Sequence, residues 1–285
     1  MVRAAPLRVL ILVLGLAGCA SAPPPPLPQH GELLAQADRQ FGGIDRMPTP
    51  ELRRYCMSAY WAKQSDKLGA CLEEIAARRK WLGVAGPRDC TQASHACDLL
   101  ARELHLGALS ALDAGRYDEA MQRAGELHKM RRELAGNRYE AVDALGVLAV
   151  ASALSGGADG SLDELKGFGF GAFSGLHYER IWLARVHMAR RDYAAAYAEV
   201  RRIDFGFDSL IERTAATYAP TGEADGYRFI LAKSALETGR VQAGRAGLAQ
   251  LLAESALSLE ASKTGCAVSR EDLKFDLQRF DLQRR

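Results

Sequence analysis

Apolar residues recur three and four positions apart along most of the chain from Pro50 onward, with polar residues between them. The clearest run is made of Leu99, Leu100, Leu104, Leu106, Leu109 and Leu112. A second run contains Ile181, Leu183 and Val186. This spacing places the apolar side chains on one face of an α-helix. Strand-like alternation is nearly absent before residue 273, so the pattern predicts an all-α fold.

Five polar or glycine-containing breaks separate pairs of these amphipathic stretches. They are centred near residues 65, 115, 157, 191 and 239, which are 34 to 50 residues apart. A helix–turn–helix unit that recurs at such spacing is typical of a solenoid. Gly115 and Gly239 can adopt the left-handed conformation that ends a helix. We expect a small residue where the second helix of each pair crosses the first. These positions are Ala70, Ala120, Ala196 and Gly244.

Two of the breaks resemble the centre of a tetratricopeptide (TPR) repeat. They are 112–120 (Leu-Asp-Ala-Gly-Arg-Tyr-Asp-Glu-Ala) and 188–196 (Met-Ala-Arg-Arg-Asp-Tyr-Ala-Ala-Ala), and 236–241 is a weaker match. The TPR period is about 34 residues. The resemblance spans roughly residues 50–255. It implies a right-handed α-solenoid of about five antiparallel helical hairpins, with extended surfaces that bind peptides or helices of other proteins.

The first nineteen residues have the organisation of an export signal. Arg3 and Arg8 precede an apolar run over 9–16, which is far shorter than the ~20 residues that a transmembrane helix needs. The run ends in Leu-Ala-Gly-Cys at 16–19, which resembles the lipobox of bacterial lipoproteins. The resemblance implies cleavage after residue 18 and lipidation of Cys19. An ordinary signal peptide with a chance cysteine is the alternative.

The residues after Cys19 bear on location and domain organisation. Ala20 stands where lipoproteins retained in the inner membrane usually carry Asp, so the resemblance implies the outer membrane, facing the periplasm. Residues 21–28 read Ser-Ala-Pro-Pro-Pro-Pro-Leu-Pro, which is typical of a stiff, solvated spacer. We predict a signal peptide over 1–18, the lipidated Cys and spacer over 19–30, a helical repeat domain over 31–260, and a C-terminal tail or cap over 261–285.

Five further cysteines follow, at positions 56, 71, 90, 97 and 266. The periplasm is oxidising, so pairing is expected, and the isolated Cys266 is our candidate for the odd thiol. Cys56 and Cys71 lie at similar heights on the two helices of the first predicted hairpin. This favours a bridge between them and leaves Cys90 to pair with Cys97. Four cysteines allow three connectivities, and buried reduced thiols are the alternative.

The charge balance and the motifs argue against several classes of function. Without residues 1–18 the chain has 35 basic and 35 acidic side chains, which gives no net field that would attract nucleic acid or an anionic membrane surface. No nucleophile elbow, P-loop, dinucleotide fingerprint or zinc-protease motif is present. The only Cys/His cluster lacks the spacing of zinc ligands. It consists of Cys90, His95, Cys97 and His105. We therefore expect no catalytic residues, no metal and no cofactor.

These observations together predict a membrane-anchored, TPR-like adaptor that binds one or more proteins of the bacterial envelope. Tyr139, Tyr178 and Tyr227 are the candidate partner-binding residues, because aromatic side chains exposed in a groove are typical of protein-binding surfaces. An envelope enzyme, acting for example on peptidoglycan, and a structural spacer are the alternatives. The glycine- and phenylalanine-rich stretch 167–175 is interpreted as a connection between repeats, and the alternating stretch 273–282 as a cap or an added strand.

Overall fold

The computed structural model describes residues 30–133, 138–157, 160–167, 178–201 and 222–254. Within its helices, the side chains of residues 132–133, 138–139, 178, 222–227 and 250–254 are not described. All regular structure in the described residues is helical, which confirms the all-α prediction. The predictions for the signal peptide, for Cys19 and for the tail over 261–285 concern segments outside the described residues.

Eleven α-helices and two short 3-10 turns make up the described part of the chain. The α-helices are α1 His30–Phe41, α2 Thr49–Trp61, α3 Ser65–Trp81, α4 His95–Asp113, α5 Tyr117–Glu133, α6 Arg138–Ser155, α7 Gly160–Gly167, α8 Tyr178–Ala189, α9 Tyr193–Arg201, α10 Gly222–Glu237 and α11 Val241–Glu254. The 3-10 turns are Ile44–Arg46 and Pro87–Asp89. The predicted spacer included His30, but this residue is the first of α1 and is buried.

Consecutive helices pack in five pairs. The pairs are α2 with α3, α4 with α5, α6 with α7, α8 with α9, and α10 with α11. The pairs also contact one another, since α3 packs on α4, α5 on α6 and α9 on α10. The first helices of successive pairs touch in the order α2, α4, α6, α8 and α10. Helix α1 packs on α2 at the N-terminal end.

The turn inside each helix pair contains one residue with positive φ. These residues are Lys63, Gly115, Gly156, Arg191 and Gly239. The amide of the following residue donates to the carbonyl five positions before it, for example from Arg116 to Ala111 at 2.8 Å. This is the Schellman arrangement, which satisfies the last carbonyls of a helix and reverses the chain. Each first helix therefore ends at a defined point and the second returns alongside it.

The first turn lies earlier than we expected from the sequence. The expected break was centred at residue 65, but α3 begins at Ser65 and the left-handed residue is Lys63. The expected crossing residue, Ala70, is consequently exposed, whereas Cys71 is fully buried. A non-glycine residue is uncommon in the left-handed conformation, so residue type gave no sign that Lys63 ends the helix.

Small residues do occupy the crossing points of three later pairs. Ala120 and Ala196 are fully buried. A Cβ on Gly244 would lie 2.7 Å from the carbonyl oxygen of Ala232, which is in the facing helix α10. Helices α10 and α11 therefore approach too closely for a larger side chain at this position.

One continuous apolar core runs from Leu34 in α1 to Val186 in α8. All six leucines of the predicted run in α4 are buried within it, as the periodicity indicated. A helix of this kind is stabilised mainly by burial of its apolar face against neighbouring helices.

Two disulfides tie the N-terminal helices together. Cys56–Cys71 joins α2 to α3, and Cys90–Cys97 joins the loop after α3 to α4, with Cα–Cα distances of 5.6 Å in both. The expected pairings are thus the ones present. Closing a loop with a sequence separation of 15 residues stabilises the fold by about 3 kcal/mol in the chain-entropy treatment. Cys266 lies outside the described residues.

Candidate functional site

An open groove lies between α9 and the turn that joins α10 to α11. Its volume is about 470 Å³, which falls within the roughly 300–1,000 Å³ of ligand-binding clefts. Six of the described residues line it, namely Ala194, Tyr197, Ala198, Arg201, Thr238 and Arg240. The groove therefore combines a small apolar floor, one aromatic ring and two guanidinium groups.

Helix α9 supplies one wall of this groove because of its residue spacing. Ala194, Tyr197, Ala198 and Arg201 are three or four positions apart and so share one face of the helix. Ala196 and Val200 are fully buried and hold the opposite face against the neighbouring helices. The short helix thus presents a stripe of two alanines, a tyrosine and an arginine to the groove.

Arg240 is held over the ring of Tyr197. Its guanidinium carbon lies 4.2 Å from the ring centroid, and its Nη1 donates to Oγ1 of Thr238 at 2.7 Å. The left-handed Gly239 sets the direction in which the backbone of Arg240 leaves the helix. A cation over an aromatic face contributes about 0.5–1 kcal/mol at an exposed site. The Arg240 side chain is therefore held beside the groove, although it is exposed to solvent.

The lining that the described residues provide is positively charged. None of its six lining residues is acidic. Two carboxylates that neighbour the lining residues in sequence form ion pairs elsewhere. Glu199 accepts from Arg180 at 2.7 Å, and Glu237 lies 3.0 Å from Lys233. Guanidinium groups bind carboxylate and phosphate oxygens through pairs of N–H donors. The groove therefore suits an anionic group that is attached to a small apolar one.

The equivalent turn between α4 and α5 does not reproduce this arrangement. Arg116 follows Gly115 as Arg240 follows Gly239, but Arg116 pairs with Glu119 at 3.1 Å and is 57% exposed. The turn sequence alone is therefore insufficient to form the groove. Arg240, by contrast, has alanine three residues later and lies over the Tyr197 ring of the preceding hairpin.

A second cluster of polar side chains is buried between α4, α6 and α8. Oδ2 of Asp143 lies 2.7 Å from Nε2 of His105, and its Oδ1 accepts from Nε1 of Trp182 at 2.9 Å. All three side chains are buried. The guanidinium of Arg185 lies 4.4 Å from the centroid of the Trp182 ring. Each carboxylate oxygen of Asp143 has a polar partner, and this offsets the free-energy cost of burying the charge.

Glu140 and Arg131 extend this cluster to α5. Arg131 Nη2 donates to Glu140 Oε2 in the interior, and Arg131 Nη1 lies 3.4 Å from Asp98. Arg102 Nη2 lies 3.5 Å from the other oxygen of Glu140. Burial lowers the pKa of the Arg102 guanidinium, and the charge of Glu140 opposes that shift. The whole network ties α4, α5, α6 and α8 together inside the packed interior.

The three candidate partner-binding tyrosines lie on first helices of pairs. Tyr139, Tyr178 and Tyr227 belong to α6, α8 and α10, but their side chains are not described. Their role in partner binding stays a prediction. Residues 168–177 of the glycine- and phenylalanine-rich stretch also lie outside the described residues.

The two cysteines and one of the two histidines of the Cys/His cluster are engaged in structural contacts, and His95 is exposed at the start of α4. Cys90 and Cys97 form a disulfide, and His105 contacts Asp143 on α6. Among the described residues, no group of three or more His, Cys, Asp or Glu side chains is arranged to hold a metal ion.

The groove could not be identified from the sequence. Tyr197 lies at helical spacing from Val200, and Arg240 lies in the predicted break centred near residue 239. Nothing in the sequence indicates that the two side chains meet. Their contact depends on how α9 packs against α10. The available signal was the spacing of three or four residues between Ala194, Tyr197, Ala198 and Arg201. This spacing shows that the four residues share one face of a helix, but it does not show which element packs against that face.

No protein-family model matches the chain, and no curated protein and no solved structure matches it either. Among the helices of the described ranges, none has the length and apolar character needed to cross a bilayer. The site is therefore interpreted from its own geometry and chemistry.

Proposed function

We propose that this chain is a lipid-anchored adaptor of the bacterial envelope, which binds a partner protein through the groove between α9 and the α10–α11 turn. The observation that carries the proposal is the groove itself, where Arg240 stacks on Tyr197 above an alanine floor. Preorganised aromatic and arginine side chains are enriched among the residues that dominate protein-binding energy. The anionic group that the groove accepts is then a carboxylate of the partner.

The packing of the helix pairs supports a TPR-like, right-handed solenoid. Each of the five pairs is a hairpin with a short Schellman turn, and successive pairs touch through their first helices. Repeats that contact only their neighbours form extended surfaces on which other proteins bind. An adaptor role follows from such a surface more directly than from a closed domain with a buried cavity.

The proposed location rests on the N-terminal sequence and on the cysteines. The Leu-Ala-Gly-Cys segment at 16–19 supports lipidation of Cys19, and Ala20 supports transfer to the outer membrane. The disulfides Cys56–Cys71 and Cys90–Cys97 support export, because such bonds persist in oxidising compartments.

The anchor is tested by replacing Cys19 with serine in the full chain and fractionating the cells. We expect the parent protein in the outer-membrane fraction and the Cys19→Ser protein in the soluble periplasmic fraction. Two or more acyl chains hold a protein stably on a bilayer, so losing them should release it. An outer-membrane fraction of the variant that equals that of the parent and resists a salt wash would defeat the anchor.

The groove is tested by affinity capture after chemical crosslinking in the intact envelope. We expect one stoichiometric partner with the parent chain and its loss with Arg240→Glu, which places a carboxylate where the partner's carboxylate would bind. Arg116→Glu is the matched control, because Arg116 holds the same position in its own turn and is exposed. Equal capture by both variants would contradict the proposed binding site.

A further inference from the structure

The largest exposed apolar side chains of the described residues lie together at the end of α3. Trp81 is 85% exposed and Leu82 is 43% exposed. Most other large apolar residues in the described ranges are buried, including Trp182. Two adjacent exposed apolar side chains, one of them an indole, stand out in a domain whose other large apolar residues are mostly buried, and this makes them a candidate contact site.

The first half of the loop after Trp81 is held rigidly. Gly83 has a φ of +87°, and the Val84 amide donates to the Arg79 carbonyl at 3.0 Å, which closes the helix in a Schellman turn. Val84 itself is buried. The Arg79 guanidinium donates back to the carbonyls of Val84 and Ala85, at 2.9 and 2.6 Å.

The second half of the loop is fixed as well. One carboxylate oxygen of Asp89 accepts from the amides of Ala85 and Gly86, at 2.8 Å each. The Cys90–Cys97 disulfide then ties the end of the loop to α4. The exposed Trp81 and Leu82 are therefore presented by a preorganised loop, so that binding through them costs little conformational entropy.

The charges beside the two apolar residues indicate what they contact. Lys80 precedes Trp81 and Arg88 lies in the same loop, and both side chains are exposed. The loop also carries the exposed Asp89, whose carboxylate accepts from the loop's own amides. Tryptophan is enriched at the membrane–water interface because its ring is apolar while its indole N–H can donate to water. Basic side chains next to such residues are attracted to anionic lipid headgroups.

The position of the loop in the chain favours the same interpretation. Ten residues separate Cys19 from His30, and such a segment spans at most about 35 Å. His30 begins α1, which packs on α2, the partner helix of α3. Arg78 donates to the carbonyls of Met47 and Ile44, so the Trp81 loop lies at the Phe41 end of α1, away from His30. If Cys19 carries lipid, the tether keeps the bilayer near the N-terminal hairpin and leaves the Trp81 end free to turn toward it.

We infer that the Trp81–Leu82 loop inserts into the headgroup region of the bilayer that holds the lipid anchor. This inference rests on the proposed function, since it adds a second contact to the proposed tether. The loop fixes the orientation of the N-terminal hairpin relative to the membrane. The groove at the opposite end of the helix array is thereby directed away from the bilayer and toward a partner.

Tryptophan fluorescence tests the inference, because the chain has three tryptophans and one of the other two is buried. The lipidated full chain is reconstituted into vesicles of phosphatidylethanolamine and phosphatidylglycerol. We expect the Trp81 emission to shift to shorter wavelength and to be quenched by lipids that carry bromine near the headgroup. Trp81→Phe should lose the shift and the quenching, whereas Trp61→Phe, the matched control, should keep both.

A second arm separates failure of the loop from failure of the anchor. With the Cys19→Ser chain and excess vesicles, replacing Trp81 and Leu82 by alanine should weaken partitioning on the order of tenfold or more. Unchanged Trp81 emission in both arms would overturn the inference, whether or not Cys19 is lipidated. A shift of Trp81 emission that depends on protein concentration without lipid would also overturn it, in favour of a contact between two copies.

Discussion

At the scale of single residues, the turns inside the five helix pairs depend on five left-handed positions. Three are glycines, and the other two are Lys63 and Arg191. The left-handed conformation costs a residue that has a Cβ roughly 1–2 kcal/mol of folding free energy, whereas glycine adopts it without this cost. Lys63 has compensating contacts, since its Nζ lies 2.7 Å from Asp113 and 4.7 Å from the centroid of the Tyr60 ring. Arg191 is exposed and strained by its φ of 60°.

Arg191→Gly should therefore stabilise the protein by about 1 kcal/mol, because glycine adopts the required φ without steric cost. The measurement is urea unfolding, with a higher midpoint and an unchanged m-value. Gly115→Ala is the opposite control, since it introduces a side chain at a φ of +72° and should lower the midpoint. A destabilised Arg191→Gly would show that the arginine side chain matters more than its backbone strain.

A second residue-scale feature is the contact between Gly146 and Trp182. A Cβ on Gly146 would lie 2.0 Å from Cδ2 of the indole, which is buried and bonded to Asp143. We expect Gly146→Ala to destabilise the fold by about 1–3 kcal/mol, because α6 and α8 must separate to admit the methyl group.

Gly125→Ala is the control for this substitution. Gly125 lies inside α5, and a Cβ added there would meet nothing within 4 Å. Alanine there should stabilise the helix by up to about 1 kcal/mol through its higher helix propensity. Thermal unfolding of the two variants should therefore move in opposite directions. Equal shifts would mean that the Trp182 contact does not limit the approach of α6 and α8.

At the scale of elements, α1, α2 and α3 are joined by a small polar cluster. Asp38 accepts from Tyr55 at 2.8 Å and from Lys67 at 2.7 Å. Burial alone would raise the pKa of Asp38, but the hydrogen bonds from Lys67 and Tyr55 and the charge of Lys67 outweigh it, so the pKa is lowered. The cluster links the helix that follows the proposed spacer to the disulfide-bonded hairpin.

The lowered pKa predicts a pH dependence. A carboxylate whose pKa is lower in the folded state stabilises the fold above its unfolded pKa of about 3.9, and the contribution is lost as the pH falls through the folded pKa. The side chains of Asp38 and Lys67 are 42% and 36% exposed, so the effect should stay under about 1 kcal/mol.

Asp38→Asn measures this contribution. The unfolding free energy of the parent chain should fall toward that of the variant as the pH is lowered below about 4. Lys67→Met should reduce the same pH dependence, because it removes the hydrogen bond and the charge that lower the pKa. Parallel pH profiles for the parent chain and Asp38→Asn would contradict the assignment.

The helices could be predicted from the sequence because their apolar periodicity is strong, as in the leucines of α4. The disulfide Cys56–Cys71 could be predicted because a hairpin brings its two positions to one height. The left-handed Lys63 could not, since nothing in its side chain favours that conformation. The buried Arg131–Glu140 pair was also unpredictable, because charged residues are expected at the surface unless a tertiary partner is known.

At the scale of the whole molecule, the two ends of the described helix array differ in chemistry. The N-terminal hairpin has both disulfides nearby and displays Trp81 on a rigid loop. The C-terminal hairpins form the groove of Tyr197 and Arg240. A buried network around Asp143 and Glu140 joins the helices between them. We interpret the N-terminal hairpin as the end that attaches to the membrane and the C-terminal hairpins as the end that binds a partner. The helices between them are joined by the buried ion pairs.

The most direct measurement of the adaptor proposal is site-specific photocrosslinking in living cells. A benzophenone amino acid is placed at Ala198 in the groove and, for comparison, at Gly69, which lies exposed on α3 with open space around it. The adaptor proposal predicts one discrete protein adduct from position 198, none from position 69, and loss of the adduct when Arg240→Glu is added. Absence of an adduct at position 198, or the same adducts from both positions, would contradict it.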